Sequence, residues 1–559
     1  MTGTKPWFRS YASGVPHRID IEKITLSRAL SRSAGQRGEM TAMNYLGKKI
    51  SFGELETLVD SFARALKALG VGKGDKVATL LPNLPQMTIA VYAAFRIGAA
   101  IVPNNPLYTE RELAYQLNDS DSKVAVGLDM LLPRMLSLKK KTRIEKIVTC
   151  HINDYLPFPK KQLYPLVKKD MYRKITPQQD LHQFTDLVKQ FRQGPKEDLS
   201  AWDELGAILY TGGTTGVSKG VMLTHASLSS NVQQFAAWLP GVKEGEKLLT
   251  VYPYFHSAGF TAMQNYALWA RLEAIPVPRP DPASVADMVK QFKPDYLPGV
   301  PTIFSGLLSN RAFTGMDLSF IKGFFAGAAP LPTDTYNRLI ELTGKQIIDV
   351  YGLTECTVFA TVSPWRGKIK PGTVGLPIPN TEIRIVDIET GQKDMPAGEA
   401  GEILIRGPQV MMGYYKKPED TAQVLREGWL YTGDIGSFDE DGHLSVIDRK
   451  KDLIISGGFN VYPNEVDDIL FAYPKVQEAC TVGIPDEYRG ETVVAYVVVY
   501  SGEEVTEKEL IKYCRENLAA YKVPRKIFFI EELPKSSIGK ILRRELKAKA
   551  AAEAGSHIK

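Results

Sequence analysis

The 559 residues are 44% hydrophobic and 24% charged, with a net charge of +6; this excludes a disordered or fibrous chain, exceeds what one hydrophobic core needs, and predicts a multidomain soluble protein. The longest candidate membrane run, Thr492 to Tyr500, is nine residues long and too short to span a bilayer, and no apolar signal core marks the N-terminus, so a cytoplasmic location is expected. Cys150, Cys356, Cys480 and Cys514 lie far apart, with no C-x-x-C pair and no histidine at ligand spacing, so neither a disulfide framework nor a zinc site is expected.

In chain order, Lys76 to Leu81 reads as a strand, Pro85 to Ile97 as a helix and Ala100 to Pro103 as a strand. Thr109 with Glu112 makes a capping box that opens the next helix. The run from Arg134 to Lys174 carries twelve Lys or Arg against Glu145, Asp154 and Asp170, a local +9 that leaves the rest of the chain at −3. Leu, Tyr, Phe and Pro interleave with the charges. Such a run can rest on an anionic membrane, guide anionic substrates, or be a solvated surface insertion, the plainest of the three. No nucleic-acid partner is expected, because no recognised binding motif accompanies the charge.

Ala207 to Tyr210 is an apolar strand, and behind it Thr211 to Gly220 contains four glycines, the hydroxyl residues Thr211, Thr214, Thr215 and Ser218, and one charge, Lys219. Glycines let a backbone approach a ligand and turn its N–H groups inward, hydroxyls donate to phosphate oxygens, and an ammonium neutralises charge; a loop of this kind at a strand end suits a polyphosphate. It is not a Walker A motif, because Lys219 is followed by Gly220 and not by a hydroxyl residue.

Helical and strand patterns return at Ser284 to Gln291 and Tyr296 to Gly299, and again before Gly327 and Tyr351, which predicts layered α/β sheets. Past residue 375 the short strands Thr381 to Val386, Glu402 to Arg406 and His443 to Ile447 predict a β-rich subdomain. Asp448 to Asp452 reads as a charged linker crossing solvent. Beyond it come a helix after Pro463, strands at Glu478 to Gly483 and Thr492 to Tyr500, a helix from Thr506 capped by Glu509, and an Ala/Lys-rich tail from Ala548 expected to fray.

Four further segments follow the glycine loop in order: DVYGLTE (Asp349 to Glu355), YTGD (Tyr431 to Asp434), DRKKDLIISGGFNVYPNEV (Asp448 to Val466) and PKSSIGKILRRE (Pro534 to Glu545). With the loop, and over about Ser51 to Lys547, the chain resembles the adenylate-forming superfamily of acyl-CoA synthetases, adenylation domains and luciferases, and within it most resembles the long-chain fatty-acid–CoA ligases. The resemblance implies an α/β fold: a large N-terminal domain of layered α/β sheets with a β-rich subdomain (1–447), a hinge (448–452), and a small mobile α+β C-terminal domain (453–559).

It also implies ATP, Mg²⁺ and coenzyme A as cofactor and co-substrates. Thr211, Gly212, Gly213, Thr214, Thr215 and Lys219 would hold the β- and γ-phosphates, with Thr211 and Glu355 on the metal. Gly327, Ala328 and the rest of GAAP to Pro330 would flank adenine together with Tyr351. Asp349, where relatives often carry an amide, would accept from the adenine amino group, and Thr354 belongs to the same nucleotide site. Asp434 would bind the ribose and Arg449 the nucleotide. Lys540 would stabilise charge at the α-phosphate, and Lys451 would be the pivot on which Lys540 withdraws while Gly457, Gly458 and Phe459 line a channel for the pantetheine arm. His256 would face the carboxylate as a candidate catalytic residue, with a packed core histidine as the alternative. Phe255, Gly259 and Gly299 to Thr302 resemble an aliphatic pocket, with Trp238 as its gate. Cys356 invites a nucleophile reading, against which a small packed residue is preferred.

Phosphoryl chemistry of this kind needs positioning and electrostatics, not a covalent nucleophile, so the lack of a Ser-His-Asp signature agrees with it. The expected function is ATP-dependent conversion of a medium- to long-chain fatty acid to acyl-AMP and then to acyl-CoA. The alternatives are an aryl- or short-chain-acid–CoA ligase and a catalytically silent acyl-binding protein. Further partner expectations are a peripheral contact with anionic membrane, at the inner membrane surface, and a homodimer.

Overall fold

The computed structural model describes residues 5–176, 178–211, 218–329, 331–486, 488–536 and 539–556. Gly212, Gly213, Thr214 and Thr215, and also Pro330, lie outside them.

Two large sheets share one hydrophobic core. Among the described residues, the first is eight-stranded, with Leu205–Thr211 between Lys219–Thr224 and Ala100–Pro103, and then Lys76–Leu80, Ser122–Leu128, Lys146–Cys150 and Leu181–Gln183. The second is nine-stranded and runs through Ile347–Tyr351, Gly323–Ala326, Tyr296–Gly299 and Lys247–Thr250. The helix Pro85–Arg96 is buried at every residue. A helix buried on every side in this way sits between layers. The helix His225–Trp238 is nearly as buried.

The predicted elements recur with ends shifted by one to three residues, the strand expected over Glu478 to Gly483 running over Val476–Asp486. Ala100–Pro103 and Tyr296–Gly299 match their expected bounds. Both capping boxes are formed: Thr109 with Glu112 at the helix Glu110–Asp119, and Thr506 with Glu509 at Glu507–Asn517.

The β-rich subdomain pairs Glu382–Val386, Gly401–Arg406, Trp429–Phe438 and Leu444–Arg449 in antiparallel fashion. The chain leaves this sheet at Arg449 and enters the sheet of the smaller C-terminal domain at Ile454. There Val476–Asp486 and Gly490–Val499 form a long hairpin, backed by the helices Pro463–Phe471 and Glu507–Asn517.

Two expectations need correction. Asp448 does not cross solvent: it is 1% exposed, because its carboxylate accepts from the backbone N–H of Asn464 at 2.8 Å, in the first turn of the helix Pro463–Phe471, and faces Arg543 at 3.5 Å. An acid at a helix N-terminus is favoured by the unpaired amides there. The tail from Ala548 continues the helix Arg543–Ser556, held by buried Leu546 and Ala550 against the long hairpin.

Candidate active site

Residues from three sheets and one loop of the C-terminal domain come together at one place. Tyr351 closes the strand Ile347–Tyr351 and donates its hydroxyl to Asp434 Oδ2 at 2.9 Å. Arg449 Nε forms an ion pair with Asp434 Oδ1 at 2.8 Å. Asp434 and Arg449 are direct cross-strand partners, so the ladder fixes their ion pair. Burial, with the Asp434 charge added, pushes the Tyr351 phenol far above its ordinary range, and it stays a donor.

Glu355 follows in the short turn Thr354–Cys356, where Thr354 Oγ1 donates to Ser257 Oγ at 3.1 Å. Glu355 Oε1 accepts the hydroxyl of Tyr414 at 2.9 Å. Tyr414 arrives on the two-residue strand Gly413–Tyr414, added to the edge of Lys219–Thr224. Lys219 lies 5.1 Å over the Tyr414 ring and pairs with Asp420 Oδ1 at 2.8 Å. Burial raises the Glu355 carboxyl, while Tyr414 and the Arg449 charge oppose the rise. A carboxylate held by one phenol keeps acceptor capacity free. Mg²⁺ takes one or two carboxylates and completes its shell with water and substrate phosphates, so Glu355 suits it. Among the described residues, no group of three acids, histidines or cysteines forms an all-protein cage.

Thr211 ends the strand Leu205–Thr211 directly across from Lys219. The loop between them, with Gly212, Gly213, Thr214 and Thr215, lies outside the described residues. On the opposite wall, Gly327 and Ala328 follow the strand Gly323–Ala326, and the Tyr252 hydroxyl donates to the carbonyls of Gly299 at 2.8 Å and Gly327 at 3.3 Å. Ala328 has φ +72, a left-handed conformation strained for a residue with a Cβ and typical of ligand-facing turns. Asp349 sits in register with Ala326 on the neighbouring strand, and burial pushes its carboxyl up to about 7.

The C-terminal domain contributes Lys540. Its backbone N–H donates to Ser536 Oγ at 3.2 Å, and Gly539, at φ +75, lies against Thr302 and Val300 of the large domain. Water still reaches Lys540, yet crowding by both domains and the charge of Arg449 draw its ammonium down to about 8, with Asp434 opposing. His256 is nearby: burial, then the Lys540 charge, lower its imidazole to about 4. Its Nδ1 accepts the backbone N–H of Ala258 at 3.3 Å, so a neutral ring presents Nε2–H. The turn of π-helix Ala258–Asn265 behind it requires Gly259, where a Cβ would lie 1.9 Å from the Pro253 carbonyl.

Other expected residues stand apart. Gly457 and Gly458, at φ +60 and +83, form the exposed turn of a hairpin, and Phe459 stacks on Tyr521 at 4.7 Å. Lys451, in contrast, is exposed in the turn after Arg449 but within electrostatic reach of Asp434, Arg449 and Lys540. Trp238 is fully buried, with its indole N–H donating to the Ser363 carbonyl at 3.0 Å. Cys356 is buried and its thiol is pushed up to about 12, which leaves no thiolate for nucleophilic work.

Sequence reasoning missed Tyr414, Asp420, Tyr252 and Ser257. Tyr252 and Ser257 flank His256 within VYPYFHSAG, a usable signal. Nothing in the spacing of Tyr414 or Asp420 points to Glu355 or Lys219.

The AMP-binding enzyme family matches residues 30–415, and the AMP-binding enzyme C-terminal domain matches residues 465–540. The chain belongs to the AMP-binding enzyme family. Its class is that of the AMP-forming acid–CoA ligases, with ATP and CoA as co-substrates. The chain is 42% identical to a long-chain-fatty-acid–CoA ligase of Bacillus subtilis over 98% of each chain, and 36% identical to one of Salmonella typhimurium over 98% of each. It is 32% identical to 4-coumarate–CoA ligase 1 of Narcissus pseudonarcissus, covering 91% of this chain and 90% of that one. ATP-bound MatB from Rhodopseudomonas palustris superposes with a TM-score of 0.84 at 30% identity, over 94% of this chain and 99% of that one. An anthranilate CoA ligase in complex with anthranoyl-AMP gives 0.84 at 26%, over 95% and 98%.

Proposed function

We propose that the protein activates medium- to long-chain fatty acids. The carboxylate oxygen attacks the α-phosphorus of ATP and pyrophosphate leaves; the CoA thiol then attacks the acyl carbonyl, loses its proton and releases AMP. The observation that carries this reading is the joining of Tyr351, Asp434 and Arg449 opposite Lys540, in a chain 42% identical to a long-chain-fatty-acid–CoA ligase over nearly its full length.

In this reading Thr211, Lys219 and the loop between them hold the β- and γ-phosphates, and Glu355 with Thr211 binds Mg²⁺, which neutralises phosphate charge. Gly327, Ala328, Tyr351 and Asp349 enclose adenine, Asp434 takes the ribose hydroxyls, and Arg449 adds a nucleotide contact. Lys540 meets the charge that grows at the α-phosphate, and neutral His256 donates Nε2–H towards the carboxylate. After adenylation, the domain from 453 onwards swings about 448–452 with Lys451 as pivot, which withdraws Lys540 and brings Gly457, Gly458 and Phe459 to the pantetheine arm. The reading includes a cytoplasmic enzyme with peripheral contact at the inner membrane surface, and a homodimer as its assembly.

Pyrophosphate release against a ladder of acids, with and without CoA, tests it. Release should rise from butyrate to palmitate, with thioester appearing only when CoA is present. A maximum on a cinnamate or a short acid would overturn the fatty-acid assignment.

A further inference from the structure

One surface outside the candidate active site combines features that rarely occur together. Phe158, Leu163, Leu166, Val167 and Met171 are exposed by 82, 48, 67, 71 and 39%. The helix Lys160–Val167 has no buried residue, and Leu163, Leu166 and Val167 stand at helical spacing on one face. Large apolar side chains clustered in this way mark an interaction site.

The same stretch carries Lys160, Lys161, Lys168, Lys169, Arg173 and Lys174, all exposed, with Asp170 as its one acid. Among the described residues, none of these six enters an ion pair. The earlier part of the basic run is different. Lys139 and Lys146 pair with Asp180 at 2.6 and 2.5 Å, Arg143 pairs with Asp121 at 2.6 Å, and Lys141 pairs with Glu110. The local excess of charge read from the sequence is therefore concentrated in 158–174.

The surface is anchored. The Arg173 N–H donates to Asp129 Oδ2 at 2.5 Å, the Arg173 carbonyl lies 3.0 Å from His151 Nε2, and Tyr172 stacks on His151 at 4.6 Å. Asn153 Nδ2 donates to the Lys161 carbonyl at 2.9 Å, which fixes the start of the helix.

We propose that residues 158–174 dock the protein on an anionic lipid bilayer, with the five apolar side chains entering the headgroup boundary and the six cations facing lipid phosphates. Charge complementarity selects this occupant. A two-fold contact between copies through the same patch would set six cations against six. The inference gives a surface to the membrane contact in the functional reading above; its test uses no substrate, so its failure is separable from failure of the ligase assignment.

The full chain is sedimented with vesicles of phosphatidylcholine alone and with 30% phosphatidylglycerol, at low and at about 0.5 M salt, where screening should abolish a charge-led contact. Wild type should bind the anionic vesicles at low salt only. Lys160→Gln/Lys161→Gln/Lys168→Gln/Lys169→Gln should lose up to several hundredfold in partitioning, at about fivefold per basic residue, and Leu163→Ser/Leu166→Ser/Val167→Ser should separately lose at least about tenfold, while pyrophosphate release on octanoate is unchanged. The emission of Phe158→Trp, read against wild type, should shift to the blue on anionic vesicles only. Wild type that stays in the supernatant, equal binding to neutral vesicles, or unchanged binding by both variants overturns the proposal. So does a wild-type dimer in sedimentation equilibrium that Leu163→Ser/Leu166→Ser/Val167→Ser converts to monomer.

Discussion

The hydroxyl of Tyr351 donates to Asp434 at 2.9 Å across 83 residues of sequence, and the same carboxylate receives Arg449 from the adjacent strand at 2.8 Å. One buried acid thus ties the main sheet to the β-rich subdomain. Tyr351→Phe keeps the ring and removes the donor. It should cost about 1 kcal/mol of stability and raise the KM for ATP modestly. Asp434→Ala leaves Arg449 without its partner, and should cost about 3 kcal/mol and raise the ATP KM more than tenfold. Urea unfolding and ATP titration check both; equal effects of the two variants would argue against the ribose role.

Lys540→Ala should lower acyl-adenylate formation by about 10²-fold or more, as removal of a preorganised transition-state contact does, and leave thioester formation from supplied acyl-AMP intact. Because its ammonium is drawn down to about 8, adenylation should fall as pH rises through 8 and the charge is lost. Lys540→Arg should remain charged and flatten that limb. Pyrophosphate release measured from pH 7 to 9.5 checks this, and a flat wild-type profile would count against the assignment.

Lys451→Pro fixes φ at the pivot and constrains the residue before it. ATP–pyrophosphate exchange should survive while CoA-thioester output is lost. Normal thioester output would show that the pivot lies elsewhere.

Glu355→Gln should raise the Mg²⁺ concentration needed for half-maximal adenylation at least tenfold, because a neutral amide is a weaker ligand for a hard dication. Tyr414→Phe removes the phenol that donates to that carboxylate and should change Mg²⁺ dependence far less. An unchanged metal requirement in Glu355→Gln would make this residue structural.

Asp349 has its carboxyl raised from 3.8 to about 7 by burial. The folded state therefore holds a proton that the unfolded chain has released between these values, and stability contributed by this group falls as pH rises from about 4 through 7. Asp349→Asn cannot titrate. Its melting temperature relative to wild type should increase from pH 5 to pH 8 and level off above. A pH-independent difference would refute the shift.

The sequence by itself determined the family, the order of its motifs, the layered α/β class and both capping boxes. These rest on local periodicity, turn chemistry and short contiguous signatures, which survive without knowledge of the fold. Asp434 and Arg449 were legible for the same reason, each inside a signature. Tertiary structure alone decided that Tyr414 reaches Glu355 and that Asp420 holds Lys219, because an added edge strand and the helix Pro418–Val424 behind it bring them together and leave no mark in spacing. It also decided that Asp448 is buried. A charged run reads as solvated until the helix N-terminus and the arginine that compensate it are in place. The basic run shows the same limit: composition gives the sum of its charges, but only the fold shows that Asp180, Asp121 and Glu110 pair with four of the six basic residues in its first half and leave 158–174 to face solvent with its apolar side chains.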